Sequence, residues 1–287
     1  MTWKARTVTF ALERPVMMGI LNLTPDSFSD GGRFLNPKRA LEQAIRLVQD
    51  GAEILDLGAE STRPGATPVS EQEELDRLLP VLDALKGKIN VPISVDTTKS
   101  RVAREALERD VEIINDVSGL RQDPLLAQVV CEFNAGLVLM HRRGTPETMQ
   151  LMTDYRDLIE DVSRELSESI AIAESCGIPL DHIVLDPGIG FSKTAEQSLE
   201  LIERLEELKC LGRPILVGPS RKSFLAAVTK SAPDKRLFGT VAASILAFER
   251  GASIFRVHDV WAVKEAISVA EAILSQSQSA LRGSILK

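Results

Sequence analysis

Short apolar runs alternate with amphipathic stretches along nearly the whole chain. The runs fall at 17–23, 54–58, 93–96, 112–115, 137–141, 183–186, 215–218 and 254–258. They are nearly continuous in Val, Ile and Leu, the pattern of parallel strands covered on both faces. The stretches between them are helical. Leu158, Ile159, Val162, Leu166, Ile170 and Ala173 line one face of a helix over 156–176, which Gly177-Ile178-Pro179 ends. Asn36-Pro37 sets a cap and a first-turn proline at another helix start, with Gly51 as its stop. Ser70-Glu-Gln-Glu73 reads as a capping box before Leu75, Leu78, Leu79 and Leu82.

Eight such units in a row, with no long linker, predict an α/β fold of the (β/α)8 TIM barrel type, one domain over 1–287. An open doubly wound sheet is the alternative. It calls for a Gly-rich phosphate turn after the first strand, and no GxGxxG stands there. Within residues 1–15, the alternation over 7–12 predicts a small extra strand, an N-terminal extension that caps the barrel bottom. The Ser/Gln-rich stretch 275–279 reads as a fraying terminus.

Composition narrows the function classes. With 44% hydrophobic and 26% charged residues, the chain is an ordinary globular one and not disordered. Its 34 Lys and Arg against 41 Asp and Glu give a net charge of −7, so it has no long-range attraction for nucleic acid or an anionic membrane. An anionic ligand must be held by cations gathered locally. Aromatics, at 4%, are too few for a nucleic-acid stacking platform. The three cysteines lack any CxxC, which argues against a disulfide framework or a zinc site and makes a reducing cytoplasm the default location. No signal-peptide core opens the chain, and the most apolar stretch, 237–248, is too short to span a bilayer.

In a barrel of this kind the strand C-termini and the loops after them build the active site. Asn22, Asp56, Asp96, Asn115, Asp116, His141, Asp186, Ser220-Arg-Lys-Ser223, Arg256 and His258 all fall there. Taken singly, an Asp at a strand end is more often a cap or turn former, and a lone His a packing residue. The convergence of the set on one rim is what points to a site. Glu53, Glu112 and Asp181 fall at strand starts, where a structural role is expected.

Asp96, Asn115, Asp186 and Lys222 together offer the acceptors and donors that suit the edge of a flat, nitrogen-rich heterocycle. A carboxylate can take two N–H groups of a guanidine-like edge at once. Arg63, Arg256 and His258, with the helix start near Ser220, suit phosphate. Asn22 and loop oxygens suit Mg2+ on a phosphorylated substrate. No Ser-His-Asp spacing stands out, and the cysteines are not placed as nucleophiles. The loops 24–32 and 61–68 are long and rich in Gly and Pro, either plain surface loops or a pair of lids.

At these residues the chain resembles the dihydropteroate synthase family of folate biosynthesis. The matching segments are Met18-Gly-Ile-Leu-Asn-Leu-Thr-Pro-Asp-Ser-Phe-Ser-Asp-Gly-Gly32, Asp56-Leu-Gly-Ala-Glu-Ser-Thr-Arg-Pro-Gly65, Ser94-Val-Asp-Thr-Thr-Lys99, Ile114-Asn-Asp-Val-Ser-Gly119, Met140-His141 with Arg143-Gly-Thr-Pro146, Leu185-Asp-Pro-Gly-Ile-Gly-Phe191, Gly218-Pro-Ser-Arg-Lys-Ser-Phe224 and Arg256-Val-His258. Each is moderately specific; their order at successive strand ends makes the joint match very specific.

The resemblance implies a transferase. It joins 6-hydroxymethyl-7,8-dihydropterin pyrophosphate to 4-aminobenzoate, with loss of pyrophosphate through a pterin cation, to give 7,8-dihydropteroate. By similarity, Asp96, Asn115, Met140, Asp186, Gly218, Lys222 and Arg256 bind the pterin. Asn22 with Mg2+, Arg63, Arg256 and His258 hold the pyrophosphate. Phe28, Thr62, Pro64, Phe191 and Ser223 shape the aminobenzoate site. Asp30, Arg63 and Lys222 act in catalysis, with Asp30 sensing the cation or the incoming amine. A homodimer and sulfonamide sensitivity are also implied.

One departure shows: Arg142 stands where the family often has Met, and its side chain is expected to lean outward. Two rivals share the barrel, a pterin-binding methyltransferase and a non-catalytic pterin-binding barrel. The first has no need of both the Ser-Thr-Arg-Pro-Gly loop and the Ser-Arg-Lys segment. The second leaves intact lids and anion ligands unexplained.

Overall fold

A computed structural model describes residues 1–24, 36–63 and 65–285, with side chains through 276. After a hairpin of β1 (Thr2–Lys4) and β2 (Thr9–Ala11) come eight strands: β3 (Val16–Asn22), β4 (Ile54–Gly58), β5 (Ile93–Asp96), β6 (Ile113–Asp116), β7 (Gly136–Met140), β8 (Ile183–Asp186), β9 (Leu216–Val217) and β10 (Ile254–Val257). They pair in the order β8-β7-β6-β5-β4-β3-β10-β9. The earliest and latest barrel strands are therefore neighbours, with Ile254 opposite Val16. A parallel bridge between Leu185 and Ile215 spans β8 and β9, where Leu185 N–H donates to Pro214 O at 2.9 Å. The sheet returns on itself, so the (β/α)8 reading holds and the open-sheet alternative falls. β9 is shorter than the run over 215–218 suggested because Pro214 and Pro219 bracket it, and neither has an N–H for the ladder.

Around the strands lie α1 (Pro37–Gln49), α2 (Glu71–Leu85), α3 (Ser100–Leu107), α4 (Leu126–Glu132), α5 (Leu158–Ser175), α6 (Ala195–Glu203), α7 (Ser223–Thr229), α8 (Leu237–Glu249) and α9 (Val260–Ile285). Asn36 caps α1 through Lys38 and Arg39 N–H, and Gly51 after it takes φ +98°, as a helix stop requires. Ser70 caps α2 by accepting from Glu73 N–H, while the Glu73 carboxylate pairs with Arg77. The reciprocal box stands at α6 instead, between Thr194 and Gln197. α9 runs on through the Ser/Gln-rich stretch that read as a fraying end, since no proline interrupts it. No helix among the described residues is long and apolar enough to cross a membrane.

The N-terminal extension is a two-stranded hairpin, not the single strand expected. Trp3 sits opposite Phe10 with ring centres 5.2 Å apart, and its Nε1 donates to His182 O at 2.9 Å. β1 was missed because three residues are too few to show a period. The fully buried Trp3 packs with Val16, Met18, Ile54, Ile113, Val138, Val184, Leu216 and Ile254 and plugs one end of the barrel with apolar side chains. The strand-start acids tie this end down: Glu53 pairs with Arg14 at 2.9 Å, Glu112 accepts from Thr7 N–H at 2.7 Å, and Asp181 pairs with Lys4 at 2.7 Å. With that end sealed, polar side chains inside the barrel can meet solvent or substrate only at the strand C-termini.

Candidate active site

Four strands contribute to one buried knot at that open end. Asp56 lies in the middle of β4, fully buried, and its Oδ2 accepts from Arg256 Nε at 2.6 Å and from Asn115 Nδ2 at 3.2 Å. Arg256 Nη2 reaches Asp96 Oδ2 at 2.8 Å. Across the opening Asp186 turns back on its own chain, accepting from Gly188 N–H at 2.7 Å. Lys222 donates to Ile189 O and rides 4.3 Å over the Phe191 ring centre. Gly218 leaves room between these halves: a Cβ there would lie 3.8 Å from Arg256 Cβ and 3.9 Å from Lys222 Nζ. Met140, Val117, Met149 and Phe191 form a separate apolar wall beside the opening.

Burial governs the electrostatics. It pushes the Asp96 carboxyl up to about 7, with Arg256 opposing and Asp56 adding to the rise. It raises Asp186 as well, against the pull of Lys222. Lys222 is drawn down to about 8 by burial, with Asp186 holding it up. Burial also disfavours the Arg256 charge, but Asp56 and Asp96 outweigh it and hold the guanidinium above its ordinary value. Asp96 and Lys222 thus exchange protons at little cost near neutral pH, while Arg256 stays charged.

Beside the knot, Asn22, Ser220 and His258 form a second group. Asn22 Nδ2 lies 3.4 Å from His258 Nε2, His258 Nδ1 lies 2.9 Å from Ser220 Oγ, and His258 N–H donates to that Oγ at 3.1 Å. One tautomer satisfies all three contacts: Nδ1–H donates to Ser220 and Nε2 accepts from Asn22. Among the described residues, the Ser220 hydroxyl hydrogen and Asn22 Oδ1 are then open to a ligand. The His258 pKa is pushed down to about 4 by burial, then by Arg221 and Arg256, so the imidazole is neutral near pH 7. His258 therefore serves this group through hydrogen bonds and not as a cation. Arg63 is exposed at the rim, and Arg221 is turned aside onto Asp259 at 2.6 Å.

Residues 18–258 match the model of the pterin binding enzyme family. The dihydropteroate synthase of Synechocystis sp. is 48% identical over 262 residues, 91% of each chain. The chain belongs to the dihydropteroate synthase family. Solved structures agree. The Yersinia pestis dihydropteroate synthase in complex with a sulfonamide drug superposes with a TM-score of 0.90 at 42% identity, over 96% of this chain and 100% of that one. The Clostridium difficile dihydropteroate synthase crystallised with pteroic acid gives 0.86 at 46% identity, over 91% and 97%.

Of the positions that the family resemblance named, the described residues bring Asp96, Asn115, Met140, Asp186, Gly218, Lys222 and Arg256 to one opening, with Asn22 and His258 beside it. Thr62 is half-buried, and Ser223 is exposed at the start of α7. The second loop is pinned where it is described: Gly65 N–H donates to Pro146 O at 2.9 Å and Val69 N–H to Glu60 Oε1 at 3.0 Å. Phe28, Asp30 and Pro64 lie outside the described residues. So does most of the first loop.

Three rim residues turn elsewhere. Asp116 faces its own turn, accepting from Ser118 N–H at 2.8 Å and Leu120 N–H at 2.5 Å. His141 is buried against Glu165 and Lys193. Arg142, expected to lean outward, is 7% exposed, with Nη2 on Gln122 at 3.1 Å. Burial there disfavours its charge, with Asp116, Asp96 and Glu60 opposing that effect.

Sequence reasoning put Asp56 on the rim without giving it a role, and it passed over another support of the site. Asp56 is the hub of the knot, and its signal was an acid inside an otherwise apolar strand run. Lys99 pairs with Glu60 at 2.6 Å and Glu74 at 2.5 Å, anchoring the base of the second loop. No spacing rule could find that trio, since Lys99 comes from a different unit from Glu60 and Glu74.

Proposed function

We propose that this chain works as a dihydropteroate synthase, joining dihydropterin pyrophosphate to 4-aminobenzoate with release of pyrophosphate. The observation that carries the reading is the convergence of Asp96, Asn115, Asp186, Lys222 and Arg256 on one opening of an otherwise plugged barrel. Asp96 takes the guanidine-like edge of the pterin through the oxygen that Arg256 leaves open. Asn115, Asp186 and Lys222 complete the edge, Arg256 lies against the pterin face, and Met140 and Gly218 shape the pocket. The reaction needs charge stabilisation, alignment and exclusion of water more than a covalent nucleophile. As the C–O bond breaks, the pterin ring shares the positive charge. Asp56, Asp96 and Asp186 make that end of the barrel favourable for it.

Asn22, Arg63, Arg256, Ser220 and the neutral His258 receive the pyrophosphate. Asn22 Oδ1 is a lone neutral oxygen, and among the described residues no cluster of three or more His, Cys, Asp or Glu is arranged around a metal. That donor set fits Mg2+ carried mainly by phosphate oxygens and water, with Asn22 as its protein contact. Such an ion would supply charge neutralisation of the leaving group. Phe28, Thr62, Pro64, Phe191 and Ser223 receive 4-aminobenzoate, and Asp30 acts at the amine. The exposed apolar residues Phe238, Leu246, Trp261, Val269 and Ile273 on α8 and α9 support a homodimer, and a cytoplasmic setting fits the free cysteines.

The test mixes purified protein with dihydropterin pyrophosphate, 4-aminobenzoate and Mg2+. Dihydropteroate and pyrophosphate are the expected products. Failure to form either would sink the reading.

A further inference from the structure

Lys193 is 3% exposed, carries an ammonium, and has no part in the proposed chemistry. Its Nζ lies 2.9 Å from His141 Nδ1 and donates to Phe191 O at 3.1 Å. His141 Nε2 in turn lies 3.1 Å from Glu165 Oε2. The proton placement that satisfies both ring contacts has Lys193 donating to Nδ1 and Nε2–H donating to Glu165. The hydrogen-bonded route from Lys193 to the Glu165 carboxylate thus runs through a neutral imidazole. Burial drives the His141 pKa down to about 3 and that of Lys193 down to about 7, with Asp186 holding the ammonium up.

Burying such a charge is costly, and an apolar side chain of similar size would fill the space without that penalty. The arrangement therefore calls for a return beyond packing. The contact that reaches the site is the one to the Phe191 carbonyl.

The segment that follows β8 is held from beneath along its length. Gly188 N–H binds Asp186, Phe191 N–H binds Gly188 O at 3.0 Å, Tyr155 OH donates to Ser192 O at 2.9 Å, and Arg143 N–H binds Ser192 Oγ at 3.0 Å. Arg143 also grips Glu165 and lies 3.9 Å over the Tyr155 ring centre. Ser192 is fixed at φ +45°, a conformation that a serine seldom adopts without such support. From above, Lys222 rests on the Phe191 ring and binds Ile189 O.

We propose that Lys193, held by His141 and Glu165, is a positioning residue for the arylamine half of the site, acting through the Phe191 carbonyl on the Phe191 ring. This rests on the reading above in one respect, that Phe191 meets 4-aminobenzoate.

The test compares Lys193→Met and Lys193→Arg with the parent, all as full-length protein. With dihydropterin pyrophosphate and Mg2+ saturating, Lys193→Met is expected to raise KM for 4-aminobenzoate about tenfold, the size of one lost hydrogen bond. Calorimetric Kd for dihydropterin pyrophosphate stays within about threefold, because Asp96 and Asn115 are untouched. Lys193→Arg recovers part of the lost arylamine affinity. An unchanged arylamine KM in folded Lys193→Met overturns the proposal, as does an equal loss of both ligands.

If Lys193→Met does not fold, the chain's single tyrosine supplies the measurement. In parent protein labelled with 3-fluorotyrosine, the Tyr155 19F signal should shift when 4-aminobenzoate joins bound pterin and pyrophosphate. A signal that does not move overturns the proposal. A parent that makes no dihydropteroate overturns the function reading instead, so the two failures are distinct.

Discussion

Replacing Asp96 by Asn should stabilise the ligand-free protein while weakening its grip on the pterin. Asp96 is 6% exposed, and burial lifts its carboxyl from 3.8 to about 7. A carboxyl raised in the folded state binds its proton more tightly there than in the unfolded chain. Stability from this group is therefore intact below 3.8 and declines as pH rises through about 7. At about 1.4 kcal/mol per pH unit, that gap corresponds to about 4 kcal/mol of penalty above pH 7. Asp56 shares the buried charge and Asn keeps an oxygen for Arg256, so a net gain of about 1–4 kcal/mol is expected at pH 8, shrinking to near zero at pH 4.

Binding should move the other way. Asn presents one acceptor where the carboxylate presents two, and hydrogen bonds to a charged partner contribute about 1.5–3 kcal/mol. Kd for dihydropterin pyrophosphate should rise about 10- to 150-fold, and its inflection near pH 7 should vanish. Urea unfolding at pH 5 and pH 8, with calorimetry on the same samples, measures both. A variant less stable than the parent at pH 8, or one that binds the pterin equally well, would refute the argument.

Three more outcomes are expected. Trp3→Ala removes the fully buried plug and should cost about 3–5 kcal/mol in urea unfolding, with kcat unchanged because the plug lies at the far end of the barrel; a drop in kcat would contradict that separation. Lys99→Met strands the fully buried Glu74 and should cost about 3–5 kcal/mol, so a melting temperature near that of the parent would show the trio to be unimportant. His258→Gln tests the pH sign: the unfolded chain protonates its histidine near 6.5 and the folded one near 4, so the parent should lose up to about 1.4 kcal/mol per pH unit relative to the variant across that window, and a constant difference would mean that His258 is not buried neutral.

The barrel and the membership of its rim were legible in the chain because both are one-dimensional patterns. A strand covered on both faces must be apolar throughout, a helix start needs its Asn or Ser, and chemistry-bearing residues recur at strand ends. Ile54–Gly58, Ile93–Asp96 and Ile183–Asp186 emerge with the bounds that the pattern gave. Length and periodicity alone could not show which rim residues turn inward. His141, Arg142 and Asp116 all stand at strand ends, yet each answers to partners from other elements. Nor could the charge at His258 be read from its type, because burial and two neighbouring arginines decide it.

The same limit hid the roles of Asp56, Lys99 and Lys193, most of whose partners lie far off in sequence. A lone charge in an apolar run hints at Asp56, but only closure of the barrel brings the counter-charge within hydrogen-bonding distance. The sequence by itself determined the elements, their order and the kinds of group available at the open end. Tertiary structure decided protonation, pairing and direction, because these depend on the distance between charges and on their removal from water, and neither quantity exists until the chain has closed.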